Sequence, residues 1–279
     1  MPEKKIMQRN MNTNNDHTDP NQTTLKGWNA TAKFWDERFG DEGNRFTNEL
    51  VWPAINELLA PQAGQRIVEL ACGNGVISRK MAKIGAQVVA SDFSSVFIQC
   101  AKERWTGDRI QYHVLDATQK EELKTLGTNQ FDAAVCSMAM FDIADIQPIF
   151  PAVKRMLKPN APFVFTVVHP CFNNASMTLL KEQNDLAGEV VHSVKVSRYL
   201  SPETIENLGM IGQQEPYLLF HRSLQDLLMP CFKAGFVIDG LLEPAFSEST
   251  QYDERLKWDG RFKEIPPILA LRVRQVIPE

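Results

Sequence analysis

Acidic residues and glycines along one short stretch of the chain could hold a nucleoside. Glu69 follows an apolar run, and small residues suited to a tight turn come next, at positions 71–75 (ACGNG). Glycines let a ligand approach the backbone closely, and the start of the following helix offers free N–H groups. Asp92 comes 19 residues after Gly73, where a carboxylate can reach the ribose hydroxyls of a bound nucleoside. The alternative is that Asp92 caps the helix after it, although two serines that follow can already do so.

Two classes of cofactor share this arrangement of turn and acid. A dinucleotide site prefers the pattern G-x-G-x-x-G/A, whereas this chain has Ser78 at the third position. The pyrophosphate of a dinucleotide sits on the helix N-terminus and is disfavoured by a nearby acid such as Glu69. An ammonium and a sulfonium are cations, which that acid would attract. Glu69 therefore favours S-adenosylmethionine over NAD.

Hydrophobic periodicity predicts the elements that would position these residues. Ile77, Met81 and Ile84 recur on one face of a helix after the turn. The run at 163–168 is continuously apolar, which is typical of a buried parallel strand. No helix separates the last two predicted strands, so we expect them to pair with the final strand antiparallel. The first predicted core strand ends at Val68. The other six cover 87–90, 110–115, 131–138, 163–168, 236–244 and 268–276.

The motifs ELACGNG, ASD and LDA resemble those of class I S-adenosylmethionine-dependent methyltransferases. The nearest resemblance is to the small-molecule, type 11 group with the menaquinone and ubiquinone biosynthesis kind of cofactor motif, from Trp28 onward. It implies a doubly wound, Rossmann-like α/β fold: a mostly parallel seven-stranded sheet with an antiparallel last strand. It also implies transfer of a methyl group to a small-molecule acceptor by direct in-line displacement, with S-adenosylhomocysteine as product and no metal. Ala71 replaces the first glycine of the usual triple-glycine pattern, and alanine is small enough for the turn.

The resemblance also implies which residues bind the cofactor. Asp116, at the end of the third strand, can accept the adenine amino group, although it could be an ordinary surface acid. Trp28 or Trp35 could contact the sulfonium or the adenine, although their helix could simply pack on the core. The predicted cofactor residues are Trp28, Trp35, Glu69, Ala71, Gly73, Asn74, Gly75, Asp92, Phe93, Asp116, Ala117, Ser137 and Met138.

Composition divides the chain into a tail and one domain. Residues 1–25 are polar and rich in Asn, Thr and Gln, so we predict a disordered tail. We predict a single methyltransferase domain over 26–279, with N-terminal lid helices at 26–63. The long connection at 169–222 is predicted to be an insertion that builds the substrate pocket, because such connections in compact domains are usually functional.

Methyl transfer from an activated sulfonium depends chiefly on placing the acceptor in line with the methyl group. A protein base helps only if the acceptor must lose a proton. His169 is the first candidate for such a base and His221 the second, although each could instead cap or pack. Phe141, Tyr199 and Arg222 are predicted to bind the substrate. We expect both histidines, Tyr199 and Arg222 to converge on a pocket beside the methyl group.

Bulk properties restrict the partners and the compartment. The net charge of −4 and the pI of about 5.8 argue against a nucleic-acid acceptor. Five cysteines without a C-x-x-C pair, and no metal-ligand spacing, indicate a reduced, cytoplasmic protein without metal. No stretch approaches the roughly 18 apolar residues of a membrane span. We expect a monomer or homodimer. The alternatives are a methyltransferase-fold protein acting on RNA or protein and, less favoured, an NAD(P)-dependent oxidoreductase. The acceptor and the methylated atom (O, N, C or S) stay open.

Overall fold

Short apolar runs form the strands of the fold, and most of these strands join one sheet. The structure, a computed structural model, describes residues 19–184, 188–251 and 258–276. The strands are β1 (Arg66–Leu70), β2 (Gln87–Asp92), β3 (Ile110–Val114), β4 (Ala133–Ser137), β5 (Phe163–Val168), β6 (Thr178–Asn184), β7 (Glu189–Lys195), β8 (Glu203–Asn207), β9 (Tyr217–His221), β10 (Phe236–Leu242) and β11 (Ile268–Gln275). The helices are α1 (Pro20–Phe39), α2 (Trp52–Leu59), α3 (Val76–Ile84), α4 (Ser95–Glu103), α5 (Lys120–Lys124), α6 (Ile149–Met156) and α7 (Leu224–Lys233), with a π-helical turn at Thr47–Val51 and a 3-10 turn at Gly260–Phe262.

Seven of the strands lie side by side in the order β10-β11-β5-β4-β1-β2-β3. β1 pairs in parallel with β2 and β4, and the parallel pairing continues outward to β3 and β5. β11 lies between β5 and β10 and is antiparallel to both. The predicted fold class, a mostly parallel seven-stranded α/β sheet with an antiparallel last strand, is confirmed.

Alternation along β5 sends side chains into hydrophobic layers on both faces of the sheet. Phe163 and Phe165 pack against Phe150 of α6, with ring centroids 6.1 and 6.0 Å apart. Val164, between them, faces the other layer, which contains Ile55 of α2. Because both faces are covered, a ligand can reach this sheet only at the edges where its strands end.

α1 begins earlier than the sequence predicts. The expectation of disorder through residue 25 is wrong from Pro20 onward, where the helix starts. Asp19 caps the helix by accepting a hydrogen bond from the N–H of Asn21 at 3.0 Å, and proline suits the first turn because its missing N–H is not needed there. Asn21 is buried, so polar contacts order this turn where apolar content does not. Residues 1–18 lie outside the described part of the chain.

The predicted insertion contains two antiparallel hairpins, β6–β7 and β8–β9. The sequence predicts one strand near β7 and another at β9, and it misses their partners. β6 (TLLKEQN) and β8 (ETIEN) carry mostly polar residues. Their pairing depends on backbone hydrogen bonds, to which hydrophobic periodicity is insensitive.

Candidate functional site

A cavity of about 1060 Å³ opens where β1, β2 and β4 end. The sheet edge, α1 and the insertion enclose it. Its volume is at the upper end of the roughly 300–1,000 Å³ typical of small-molecule sites, which leaves room for two small molecules side by side. Twelve of the thirteen residues predicted for the cofactor line this cavity, with Gly75 as the exception, and the predicted substrate residue Phe141 lines it as well.

The turn between β1 and α3 leaves its backbone open toward the cavity. Ala71, Gly73 and Gly75 have positive φ angles of 54°, 54° and 77°. A Cβ added at Gly73 would meet no atom within 4 Å, and Gly73 lines the cavity, so a ligand can lie against its backbone. Gly75 instead packs under Tyr112, whose hydroxyl oxygen is 2.5 Å from the position of an added Cβ. Gly75 therefore allows close packing of the turn and does not form the cavity wall.

Ala71 is the one residue with a Cβ among the three positive-φ positions of this turn. We expect Ala71→Gly to raise the free energy of unfolding by about 0.5–1 kcal/mol, because relief of left-handed strain outweighs the extra chain entropy of glycine. Gly75→Ala is the matched reverse change and should lower it by about 1–3 kcal/mol through the same strain plus contact with Tyr112. Urea denaturation measures both. A loss of stability in Ala71→Gly would contradict this account of the turn.

Two buried carboxyl groups, Glu69 and Asp92, lie beside the turn. One oxygen of Asp92 accepts a hydrogen bond from the N–H of Gly73 at 2.9 Å, and the other accepts one from the N–H of Ser94 at 2.9 Å. Asp92 thus holds the turn and the start of α4 while it lines the cavity. Each of its oxygens keeps a further lone pair for a ligand. Glu69 accepts a hydrogen bond from the hydroxyl of Ser78.

Burial makes both carboxyl groups weak acids. It raises the pKa of Glu69 from 4.5 to about 8, against the opposing effects of the Ser78 hydrogen bond and the charge of Arg79. It raises the pKa of Asp92 from 3.8 to about 6, against two backbone hydrogen bonds. At neutral pH Glu69 is therefore mostly protonated, and a cation bound beside it would favour its ionised form. This end of the cavity suits a cationic ligand whose binding displaces a proton.

Asp116 and Asn21 form a second polar edge of the cavity. The side-chain amide of Asn21 donates to one oxygen of Asp116 at 2.6 Å, and the other oxygen accepts from the N–H and the hydroxyl of Thr118, both at 2.8 Å. All three residues line the cavity. Sequence reasoning missed Asn21 because it lies in the segment predicted to be disordered. The Asp-Pro pair just before it, a helix-start signal, was the available clue.

Trp28 and Trp35 lie on the face of α1 that borders the cavity. Trp28 stacks on Tyr217 of β9 with ring centroids 4.2 Å apart and lies 5.8 Å from Phe97 of α4. The indole N–H of Trp35 donates to the side-chain oxygen of Gln213 at 3.0 Å, which joins α1 to the insertion. Trp28 is only 9% exposed. Core packing and contact with the cavity, the two alternatives for this helix, are both present.

The structure places His169, the first candidate base, away from the cavity. The residue is 3% exposed and is not part of the cavity wall. Its Nε2 lies 2.9 Å from a carboxylate oxygen of Glu243, and its Nδ1 accepts a hydrogen bond from the N–H of Cys171 at 3.1 Å. Burial lowers its pKa in spite of Glu243. Both ring nitrogens are therefore occupied by the protein, and the ring joins the ends of β5 and β10.

His221, Tyr199 and Arg222 are also placed differently from their prediction. Nε2 of His221 lies 2.7 Å from the carbonyl oxygen of Tyr199, and the Tyr199 hydroxyl accepts the first N–H of α7 at 2.8 Å. The guanidinium of Arg222 donates to three backbone carbonyl oxygens in the loop after β4 at 2.7–2.8 Å. None of the three lines the cavity. The structure therefore does not bring these residues together with His169 at the cavity wall, and each of the three holds a loop or the start of a helix.

Apolar side chains of the insertion form part of the cavity wall, called here the insertion wall. Sequence reasoning placed the acceptor side in the insertion but selected polar residues there. The apolar run of β9 (YLLFH) was the available signal for this wall. The cavity-lining apolar residues of the insertion include Met177, Leu179, Ile205, Leu208, Met210, Ile211 and Leu219.

Metal-ligand clusters and membrane-spanning helices are absent from residues 19–184, 188–251 and 258–276. No group of three or more His, Cys, Asp or Glu residues in these ranges could hold a metal ion. No helix within them is both long enough and apolar enough to cross a membrane. The five cysteines are free thiols.

Known proteins resemble this chain in sequence and in fold. Residues 68–165 match the family model described as methyltransferase domain. A demethylmenaquinone methyltransferase of Clavibacter sepedonicus is 33% identical over 119 residues, 42% of this chain and 47% of that protein. A ubiquinone biosynthesis O-methyltransferase of Bordetella avium is 26% identical over 166 residues, 57% of this chain and 68% of that protein. The crystal structure of an S-adenosylmethionine-dependent methyltransferase from Mesorhizobium loti superposes with a TM-score of 0.61 at 24% identity, covering 80% of this chain and 97% of that one.

The fold is a mostly parallel α/β sheet in which the last strand of the chain, β11, is antiparallel, and its cavity lies where the glycine turn and the buried acids meet. The family match covers the glycine turn and the strands from β1 to β5 that carry the acids. In sequence over residues 68–165 and in fold, the chain is similar to class I S-adenosylmethionine-dependent methyltransferases, in agreement with the resemblance of its motifs. Its alignments span about half to two thirds of the length of these curated relatives.

Proposed function

We propose that the protein transfers a methyl group from S-adenosylmethionine to a small-molecule acceptor with an apolar body. The observation that supports this most strongly is a single cavity lined by an open glycine turn, by buried acids and by apolar side chains of the insertion. When bound, S-adenosylmethionine supplies a methyl group on a positively charged sulfur. The residues of this chain have to hold the two molecules in line and exclude water.

The residues at the sheet edge fit the parts of this cofactor. The open backbone at Gly73 accommodates a ligand that a Cβ would displace. The free lone pairs of Asp92 suit the two ribose hydroxyls, and Asp116 with Asn21 suits the adenine amino group. Glu69, which burial keeps protonated, becomes a partner for the ammonium group once it ionises.

The insertion wall supports an acceptor with a hydrophobic body. In this proposal the insertion, 169–222, is the acceptor side of the cavity and α1 is the lid over the cofactor. The names of the matched relatives, a demethylmenaquinone methyltransferase and a ubiquinone biosynthesis O-methyltransferase, agree with a small apolar acceptor. A cytoplasmic location, a monomeric or homodimeric state and the absence of a nucleic-acid partner stay predictions.

The proton on Glu69 offers a test of cofactor binding. A cationic ligand binds the carboxylate form, so below pH 8 its binding must displace the proton that burial stabilises. We expect the affinity for S-adenosylhomocysteine to rise about fiftyfold between pH 6 and pH 8, because a group with a pKa of about 8 is about 1% ionised at pH 6 and half ionised at pH 8. Glu69→Gln should flatten this dependence and bind more weakly at pH 8. Calorimetry over that pH range measures both, and the same slope in the variant and the wild type would contradict the role given to Glu69.

A further inference from the structure

Asp142, in the loop between β4 and α6, has a carboxyl oxygen that nothing in the described chain satisfies. Its Oδ1 is sealed from solvent and has no hydrogen-bond partner, and the residue lines the cavity. Among the described side chains with such a buried orphan atom, only Asp142 and Trp258 line the cavity. The carboxyl group as a whole accepts no hydrogen bond from the described chain, and a largely buried carboxyl group without a partner costs about 1–3 kcal/mol, so a ligand bound in the cavity that donates to it would lower this cost.

The loop that carries Asp142 is held in place by hydrogen bonds from the end of β9 and the residue that follows it. The guanidinium of Arg222 donates to three of its carbonyl oxygens, and the N–H of Phe220 donates to the carbonyl of Phe141 at 2.7 Å. Arg222 thus gives its hydrogen bonds to the backbone and leaves the carboxyl group without one. The carboxyl group is consequently fixed at the cavity wall, beyond the end of β4.

We propose that Asp142 binds the reacting group of the acceptor, and that this group is a hydroxyl on a neutral, apolar molecule. The inference rests on the methyl transfer proposed above. The acceptor O–H donates to the carboxyl group of Asp142 where that residue lines the cavity. As the acceptor oxygen forms its bond to the methyl carbon with its own electron pair, the electron pair of the C–S bond passes to sulfur and the hydroxyl proton passes to the Asp142 carboxylate.

The surroundings of Asp142 favour this role. Burial raises the pKa of Asp142 well above 3.8, and Asp92 raises it further, while Arg222 opposes the shift. A carboxylate of raised pKa is a stronger base and is better matched to a hydroxyl proton. The apolar insertion wall favours an acceptor without charge, for which a hydroxyl is a suitable donor.

A pair of matched probes tests the proposal on protein saturated with S-adenosylhomocysteine. 4-Propylphenol carries a hydroxyl donor, and 4-propylanisole has nearly the same shape without it. We expect the wild type to bind the phenol at least about tenfold more tightly than the anisole, a difference that one hydrogen bond to a carboxyl group can supply. Asp142→Leu should abolish this preference. Asp145→Asn, which changes an exposed aspartate of the same loop, should retain it.

The thermal stability of the variants separates this role from a structural one. Removal of an unsatisfied carboxyl group should leave the melting temperature of Asp142→Leu unchanged or raise it, whereas loss of a structural contact would lower it. Asp142→Asn keeps an acceptor oxygen of lower basicity, so its preference for the phenol over the anisole should be smaller than that of the wild type. This variant replaces Asp142→Leu in the test if the leucine variant does not fold. Equal binding of the two probes to the wild type, or binding of neither, would overturn the role of Asp142. Failure of S-adenosylhomocysteine to bind would instead count against the proposed function.

Discussion

Replacing Trp28 with alanine is expected to lower the free energy of unfolding by about 3–5 kcal/mol, the range for removing a buried tryptophan. The Trp28 ring stacks on Tyr217 and contacts Phe97, so it fastens α1 to both the insertion and α4. Because α1 also brings Asn21 and Trp35 to the cavity, its loosening should weaken binding of S-adenosylhomocysteine about tenfold or more. Urea denaturation and calorimetry measure the two effects.

Trp52→Ala is the matched control for this substitution. Trp52 is half-buried at the start of α2 and does not line the cavity. Its loss should cost less stability and leave the affinity for S-adenosylhomocysteine unchanged. If both tryptophan variants lost stability and affinity to the same extent, α1 would have no special part in the site.

Asp92→Ala should reduce the affinity for S-adenosylhomocysteine about ten- to a hundredfold, since hydrogen bonds to a charged group contribute roughly 1.5–3 kcal/mol. The same change removes the acceptor for the N–H groups of Gly73 and Ser94. We therefore expect a loss of stability of about 1–3 kcal/mol as well, partly offset by the removal of a buried carboxyl group. Calorimetry and chemical denaturation of the same preparations separate the two quantities.

Asp132→Ala provides a comparison on the opposite edge of the sheet. Asp132 accepts a hydrogen bond from the N–H of Arg66 at 2.8 Å, just before β1, and it does not line the cavity. Its removal should reduce stability and spare cofactor affinity. An unchanged dissociation constant in Asp92→Ala, with stability lost as in Asp132→Ala, would make Asp92 a purely structural residue.

The cofactor side of the cavity was predictable because parallel topology assembles it from local signals. Glu69, Asp92 and Asp116 each follow or end a recognisable strand, and parallel strands bring these ends to one edge of the sheet. The spacing between these acids and the glycine turn was therefore sufficient to predict the cofactor side of the cavity. The antiparallel pairing of β10 and β11 followed in the same way from the missing helix between them.

The acceptor side was not predictable, because it depends on which way side chains point. His169 after β5 reads equally well as a base or as a structural ring, and its partner Glu243 is 74 residues away. Arg222 was predicted to bind the substrate. Its guanidinium instead donates to backbone carbonyl oxygens, a contact that no pattern of side chains in the sequence indicates. Asp142 shows no motif at all. Its significance comes from a hydrogen bond that is missing, which only the packed structure shows.

Calorimetric titration of the wild-type protein with S-adenosylhomocysteine and, separately, with NAD tests the central claim most directly. The buried carboxyl group of Glu69 lies beside the glycine turn, where it would favour a cationic ligand over a pyrophosphate. The antiparallel pairing of β11 with β5 also differs from the parallel sheet of a dinucleotide-binding fold. We predict saturable binding of S-adenosylhomocysteine with a dissociation constant of about 1–10 μM, near −8 to −7 kcal/mol, and no binding of NAD. Saturable binding of NAD without any response to S-adenosylhomocysteine would contradict the account.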